Sequence, residues 1–112
     1  MGKGYRPGRL GEEIRRILSG MLLRGMKDPR LDNMVSITGV DVTPDGSYAT
    51  VYFTVFDVND AEAINGAERE ERSEEVLDAM RSAKGLIKKE IGRQVKVRHI
   101  PELLFKADTS FD

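Results

Sequence analysis

The chain has 112 residues, of which 39% are hydrophobic and 33% are charged; its formal net charge is −1 and it contains no cysteine. This length suits one domain with a modest core, and the lack of cysteine excludes a disulfide framework and a thiolate nucleophile. The apolar runs are too short to cross a membrane, and no apolar segment follows the N-terminal residues as it does in a signal peptide. We expect a single soluble domain, residues 1–112, in a reducing compartment.

The charges are sorted along the chain. Residues 1–30 carry eight Lys or Arg against three acids, residues 31–80 carry two against twelve, and residues 81–112 carry eight against four. If the fold brings the two basic ends together, they form one cationic face, which is typical of a domain that binds an anionic polymer.

Residues 1–8 predict a flexible basic tail, because they contain too few apolar groups to offset the entropy of ordering. From Leu10 onward, apolar residues recur at helical spacing and predict an amphipathic helix. This helix should stop near Pro29, which lacks a backbone N–H and pushes the preceding residue out of the helical region.

Two strands are predicted next. In residues 35–42 the apolar alternation slips at Gly39, which indicates a bulge. Residues 43–46 have the Thr-Pro-Asp-Gly pattern of a type I turn and predict a hairpin. Residues 48–55 alternate again, so one face of this second strand should pack.

Residues 57–71 predict an acidic loop that leads into a helix capped by Ser73. The helical spacing continues through Gly85 and ends near Gly92. Residues 95–105 predict a third strand with a break at Pro101. The order of elements predicts an α+β domain in which helices pack on one face of a three-stranded sheet.

The segment 81–89 is the strongest candidate for a binding site. Glycine in the middle of a helix costs stability, but Gly85 would permit a kink and the close approach of a phosphate or of another helix. Basic side chains surround it, at Arg81, Lys84, Lys88 and Lys89. The alternative, that Gly85 only permits tight packing and that the lysines form a solvated face, is left open by the sequence.

Other basic side chains extend this candidate surface along the chain. Arg93, Lys96 and Arg98 follow it onto the predicted third strand, where alternate residues face the same way. The first helix and its C-terminal end add Arg15, Arg16, Lys27 and Arg30. Several of these side chains are equally good candidates for ion pairs with Glu12, Glu13 and Asp28.

Aromatic side chains lie on the less apolar side of the second strand, at Tyr48, Tyr52 and Phe56. Exposed aromatic rings on a sheet can stack nucleic-acid bases. Because helices must cover one face of this sheet, packing beneath them is the preferred interpretation.

Catalytic chemistry has little support in this sequence. His99, interpreted as a partly buried strand residue, makes at most two metal ligands with Glu102, whereas a catalytic zinc site normally takes three from the protein. No phosphate-binding loop, dinucleotide fingerprint or nucleophile elbow is present. We therefore predict no enzyme activity and no cofactor.

The chain resembles the ribosome-binding factor A family over nearly its whole length. The residues that carry the resemblance are Glu12, Glu13, Ile14 and Arg15; Lys27, Asp28, Pro29 and Arg30; the strand 35–42 with Thr43, Pro44 and Asp45; residues 48–52; Ala83, Lys84 and Gly85; and residues 101–105. The resemblance implies a type II KH-like domain of order α-β-β-α-kink-α-β, in which an Ala-x-Gly kink at Ala83, Lys84 and Gly85 replaces the usual GxxG loop. Many members continue beyond the position of Asp112.

The resemblance also implies a function and partners. Such a protein binds the immature small ribosomal subunit and its rRNA, promotes late rRNA maturation without catalysing a reaction, lies in the cytoplasm, and is linked to growth in the cold. The sequence does not determine the oligomeric state, for which we expect a monomer. Other assembly factors, such as a GTPase, are candidate partners. The basic side chains named above then become the predicted RNA-binding set.

Other functions stay open from the sequence alone. The chain could be a structured-RNA binder outside ribosome assembly, or a protein-docking module that uses residues 57–78 or the tyrosine-bearing strand. A hydrolase or nuclease that uses His99 would need further ligands than the sequence offers.

Overall fold

The structure is a computed structural model that describes residues 7–31, 35–55 and 66–108. Its elements are α1 (Pro7–Arg24), β1 (Val35–Val42), β2 (Tyr48–Val55), α2 (Gly66–Ser82), α3 (Lys84–Gln94) and β3 (Glu102–Ala107). The strands form one sheet in the order β1-β2-β3, with β1 antiparallel and β3 parallel to the central strand β2. The predicted α+β class and element order are confirmed, and they agree with a KH-like fold.

The hydrophobic core lies between the three helices and one face of the sheet. Ala49, Val51, Phe53 and Val55 of β2 are all buried on that face, as the alternation predicts. The helices contribute buried residues at helical spacing, namely Ile14, Leu18, Leu22, Val76, Met80, Ile87 and Ile91. All three helices therefore cover the same side of the sheet, and no described helix packs on the opposite side, which we call the open face.

Helix α1 ends earlier than the sequence predicts. Its last residue is Arg24, and Gly25 follows with φ of +93°, a left-handed conformation that glycine adopts without steric penalty. The Gly25 N–H donates to the Leu22 carbonyl at 3.2 Å. Pro7 begins the helix, where a missing N–H costs nothing, so the predicted tail is helical at residues 7–8 while residues 1–6 lie outside the described residues.

The β1–β2 hairpin confirms both local predictions. Ile37 pairs with Phe53 and Gly39 pairs with Tyr52, so the register shifts by one residue between Ile37 and Gly39. The turn closes through the Gly46 N–H, which donates to the Thr43 carbonyl at 2.9 Å.

Two predicted boundaries are wrong. Helix α2 begins at Gly66 instead of Ser73, so residues 66–71 of the predicted acidic loop are helical; their Glu and Arg side chains have good helix propensity. Strand β3 begins at Glu102 instead of residue 95, because Pro101 has no N–H to donate and the Glu102 N–H makes the first bond, to the Ser47 carbonyl at 2.8 Å. Residues 56–65 of the predicted loop lie outside the described residues.

Within the described ranges, no helix is long and apolar enough to cross a membrane.

Helix α1 approaches β1 closely at Gly11, which generates a stability prediction. A Cβ atom at Gly11 would lie 2.6 Å from the Val40 carbonyl oxygen, which is backbone and cannot rotate away. We expect Gly11→Ala to lower the free energy of unfolding by roughly 1–3 kcal/mol, as overpacking does, in urea unfolding followed by circular dichroism.

Gly85→Ala is the matched control, because a Cβ at Gly85 meets nothing within 4 Å. We expect this variant to be as stable as the wild type or slightly more stable, since alanine is the better helix former. Equal stability of Gly11→Ala and the wild type would contradict the close approach.

Candidate nucleic-acid interface

The break between α2 and α3 falls at a single residue, Ala83, which has φ of −90° and ψ of 3°. Its N–H donates to the carbonyls of Ala79 and Met80 at 3.0 and 3.1 Å, and its carbonyl accepts from the Ile87 N–H at 2.9 Å. The chain therefore passes from one helix to the next with almost no interruption. The break lies inside the predicted kink.

Gly85 is exposed in the first turn of α3 and its backbone has no positive φ. A Cβ at this position would meet no atom within 4 Å. Tight packing within the described residues therefore does not require glycine here, which contradicts the packing interpretation of Gly85. The open space above it leaves room for a ligand to approach the backbone.

Lys84 and Lys88 lie one turn apart on α3 and share one anionic partner, Glu102 at the start of β3. The Lys84 Nζ lies 2.8 Å from Glu102 Oε2, and the Lys88 Nζ lies 3.5 Å from Glu102 Oε1. The hydrogen bond from Lys84, together with the positive charges of Lys84 and Lys88, lowers the pKa of Glu102. The Glu102 carboxylate therefore already offsets part of the positive charge at this position.

The rest of the basic set from α2 onward divides into free and paired cations. Arg81, Lys89, Lys96 and Arg98 are exposed and form no ion pair with any described residue. Arg93 pairs with Glu90 of the same helix at 2.7 Å, yet 70% of its side chain is exposed.

The predicted placement of Arg93, Lys96 and Arg98 along the third strand is wrong. Arg93 belongs to α3, and Lys96 and Arg98 lie in the connection between α3 and β3. None is on a strand, because β3 starts only after Pro101. Arg93 is exposed in the last turn of α3, and Lys96 and Arg98 follow the helix directly, so all three continue its exposed basic surface without strand alternation.

Of the four basic residues predicted as binding residues in the first segment, three are paired. Arg15 and Arg16 contact Glu12 and Glu13 at 2.9 and 2.6 Å, three residues away on α1. Arg30 contacts Asp28 at 2.6 Å, and its hydrogen bonds to that carboxylate lower the pKa of Asp28 to about 2. The ion-pair interpretation therefore holds for these three arginines.

Lys27 is the fourth of these residues, and it is exposed and has no ion pair with a described residue. It also lines an apolar groove of about 220 Å³ together with Leu31, Ala83 and Leu86. This groove joins the segment after α1 directly to the α2–α3 break.

The fold brings the two basic segments of the sequence next to each other. Hydrogen bonds from Arg93 and Gln94 are the main cause of the lowered pKa of Glu90 on α3, and the charge of Arg24 at the end of α1 adds a smaller contribution. Arg15 and Arg16 line a second groove, of about 620 Å³, that runs along α1 and reaches Gln94 at the end of α3. Basic side chains of α1 and of α3 therefore belong to neighbouring helices.

The open face of the sheet carries side chains that sequence reasoning misplaced. Tyr48 is 50% exposed and Tyr52 is half-buried, both on the side opposite the helices. Their predicted burial beneath the helices is wrong, because the helices cover the other face, with Val51 and Phe53. Phe56 lies outside the described residues.

His99 also differs from its prediction. It is exposed in the connection before β3 and is not a partly buried strand residue. In the part of the chain that the structure describes, no three His, Cys, Asp or Glu side chains are grouped so that they could hold a metal ion.

Glu102 is the residue of this surface that sequence reasoning missed as a partner of the lysines. It is separated from Lys84 and Lys88 by the whole connection after α3, so no local spacing pairs them. The register of β3 against β2, in which Glu102 pairs with Tyr48, decides its position.

Comparison with known proteins adds independent information. The family model of ribosome-binding factor A matches residues 6–112. The ribosome-binding factor A of Geobacter sp. (strain M21) is 46% identical over 107 residues, which are 96% of this chain and 80% of the relative. That of Clostridium botulinum (strain Okra / Type B1) is 43% identical over 108 residues, which are 96% of this chain and 81% of the relative.

Solved structures agree with this result at the level of the fold. The crystal structure of ribosome-binding factor A from Thermus thermophilus matches with a TM-score of 0.70 and 24% identity, over 92% of this chain and 97% of that chain. A homology model of the Thermus thermophilus factor, fitted into a cryo-electron-microscopy map of its 30S complex, matches with a TM-score of 0.64 and 21% identity, over 96% and 99%. The chain belongs to the ribosome-binding factor A family.

Proposed function

We propose that this protein is a non-catalytic assembly factor that binds the immature small ribosomal subunit through its rRNA and promotes late maturation of that rRNA. Membership of the ribosome-binding factor A family carries the proposal. A Thermus thermophilus member has been fitted into a map of a 30S complex. The corresponding place of action is the cytoplasm, and the protein acts as a monomer beside other assembly factors, with a GTPase as one candidate partner.

The contact surface consists of the neighbouring helices α1 and α3, the segments that follow each of them, and the last turn of α2, which carries Arg81. Basic side chains contact the phosphates of structured RNA mainly through charge, which gives affinity and orientation more than sequence specificity. The free cations are the main phosphate ligands, and they are Lys27, Arg81, Lys89, Lys96 and Arg98. The ion-paired members contribute less, because each must leave or share its carboxylate, and they are Arg15, Arg16, Arg30, Lys84, Lys88 and Arg93.

Co-sedimentation with free small subunits, assembled ribosomes and large subunits over a salt series tests this function. We expect selective binding to free small subunits that weakens as salt rises, because phosphate contacts release counterions. Equal binding to all particles, or none, would contradict the proposal. Binding that survives digestion of the RNA would instead indicate a protein-docking module.

Single alanine replacements of the free cations test the proposed surface. We expect Lys89→Ala, Lys96→Ala and Arg98→Ala each to weaken binding and to reduce the salt slope by roughly one unit, one lost phosphate contact each. The measurement is the affinity for free small subunits across the salt series.

Lys106→Ala is the matched control for these replacements. Lys106 is exposed on β3, pairs in register with Tyr52, and lies on the open face of the sheet. The Lys106→Ala replacement also removes one positive charge, but from the side of the sheet opposite the helices. The salt slope should therefore stay near the wild-type value. Equal losses from Lys106→Ala and Lys89→Ala would reject the helical surface.

Gly85→Val tests whether RNA approaches the α2–α3 break. Because the space above Gly85 is open, we expect the variant to fold and to lose only the modest helix propensity of a β-branched residue. Its affinity for small subunits should fall, since the new side chain occupies the path to the backbone. Wild-type affinity in a folded Gly85→Val protein would show that no ligand comes close there.

A further inference from the structure

The contact between Glu102 and the two lysines differs from the other ion pairs that the structure describes. Elsewhere the partners are at most three residues apart in sequence, as in Arg15 with Glu12 and Arg93 with Glu90. Glu102 belongs to a different element from Lys84 and Lys88, and one carboxylate serves both ammonium groups through its two oxygens, at 2.8 and 3.5 Å.

Two ammonium groups that contact one carboxylate have the arrangement of an anion-binding site. The side chains of Lys84 and Lys88 are 31% and 36% exposed, so each is partly packed and partly accessible to solvent. The side chain of Glu102 is 45% exposed, so the carboxylate lies at the surface where another anion can reach the same position. A phosphate oxygen and a carboxylate oxygen compete for the same N–H donors.

We propose that the carboxylate of Glu102 occupies the position of an RNA backbone phosphate, and that RNA binds by displacing it from Lys84 and Lys88. This inference rests on the proposed function and names a subsite within it. The displaced carboxylate moves into water, where it is well solvated, and the two lysines keep an anionic partner throughout. The exchange therefore costs little, because an ion pair at the surface contributes little to stability.

The tethered carboxylate also determines how strongly a ligand must bind in order to displace it. Glu102 is held beside the lysines by the strand, so its effective concentration there is high. A single free phosphate that displaces Glu102 gains contacts only with Lys84 and Lys88. An RNA chain also contacts the free cations Arg81 and Lys89 at the same time. The site therefore favours a polyanion over small phosphate compounds.

Glu102→Gln tests the exchange, because the amide keeps the shape of the side chain but has no charge to compete with phosphate. We expect the variant to bind free small subunits roughly threefold to tenfold more tightly at a given salt concentration. The salt slope should stay near the wild-type value, because Lys84 and Lys88 contact phosphate in both complexes and only the competing carboxylate is lost. Circular dichroism and urea unfolding establish that the variant is folded.

Glu74→Gln is the matched control. Glu74 is exposed on α2 and forms no ion pair with a described residue. Its replacement changes the net charge by the same amount without releasing a cation, so its affinity should change by less than twofold, roughly what one distant surface charge contributes at physiological salt. Equal effects of Glu74→Gln and Glu102→Gln would overturn the exchange.

A second control removes the lysines. In a Lys84→Ala/Lys88→Ala background, adding Glu102→Gln should no longer increase the affinity, because the carboxylate then has nothing to release. A gain of the same size in that background would also overturn the exchange.

The outcomes separate this inference from the proposed function. If the wild type binds free small subunits with salt sensitivity but Glu102→Gln gains nothing, the exchange is wrong and the proposed function stands. If the wild type and Glu102→Gln both fail to bind at every salt concentration, the proposed function is wrong and the exchange is rejected with it.

Discussion

The contact between helix α1 and strand β1 determines where the basic side chains of α1 lie. At Gly11 the helix backbone lies so close to the Val40 carbonyl that no Cβ fits between them. This contact fixes α1 flat against one edge of the sheet, over the buried residues of β1 and β2. The C-terminal half of α1 then lies beside α3. There the charge of Arg24 adds to the hydrogen bonds from Arg93 and Gln94 that lower the pKa of Glu90. The two basic ends of the sequence become one surface because this approach is possible.

The electrostatics of that surface follow from how each cation is placed. Arginines one helical turn from an acid, such as Arg15 and Arg16, form pairs within their own helix. Lys89, Lys96 and Arg98 form no ion pair with any described residue. A near-neutral protein of net charge −1 can therefore present a cationic surface, since its acids are concentrated in the middle of the chain. Counting charges over the whole chain hides this separation.

Sequence reasoning succeeded where local patterns decide the structure. The alternation of β2, the bulge before Gly39 and the turn at Thr43 depend on neighbouring residues, and all three are confirmed. The helix break was predicted because Gly85 is a poor helix former, yet the break falls at Ala83. Local propensity thus located the segment but not the residue.

The failures occurred where distant elements decide. Tyr48 and Tyr52 alternate with buried residues, and only the position of the helices determines which face is covered. The apolar residues Val95 and Val97 continue the parity of a strand, but they pack as part of the connection that reaches the core before β3 begins. Glu102 could not be matched to Lys84 and Lys88 without the parallel register of β3.

That parallel register has a consequence for the order in which the protein matures on its own ribosome. The β1–β2 hairpin pairs residues that are close in the chain, whereas β3 must return to β2 after both α2 and α3 have been synthesised. Lys84 and Lys88 therefore emerge before the strand that carries Glu102. A nascent chain at that stage has two lysines without their carboxylate, and it acquires the internal anion only when the last strand joins the sheet. The step in which β3 joins the sheet is then also the step that brings the Glu102 carboxylate to the two lysines.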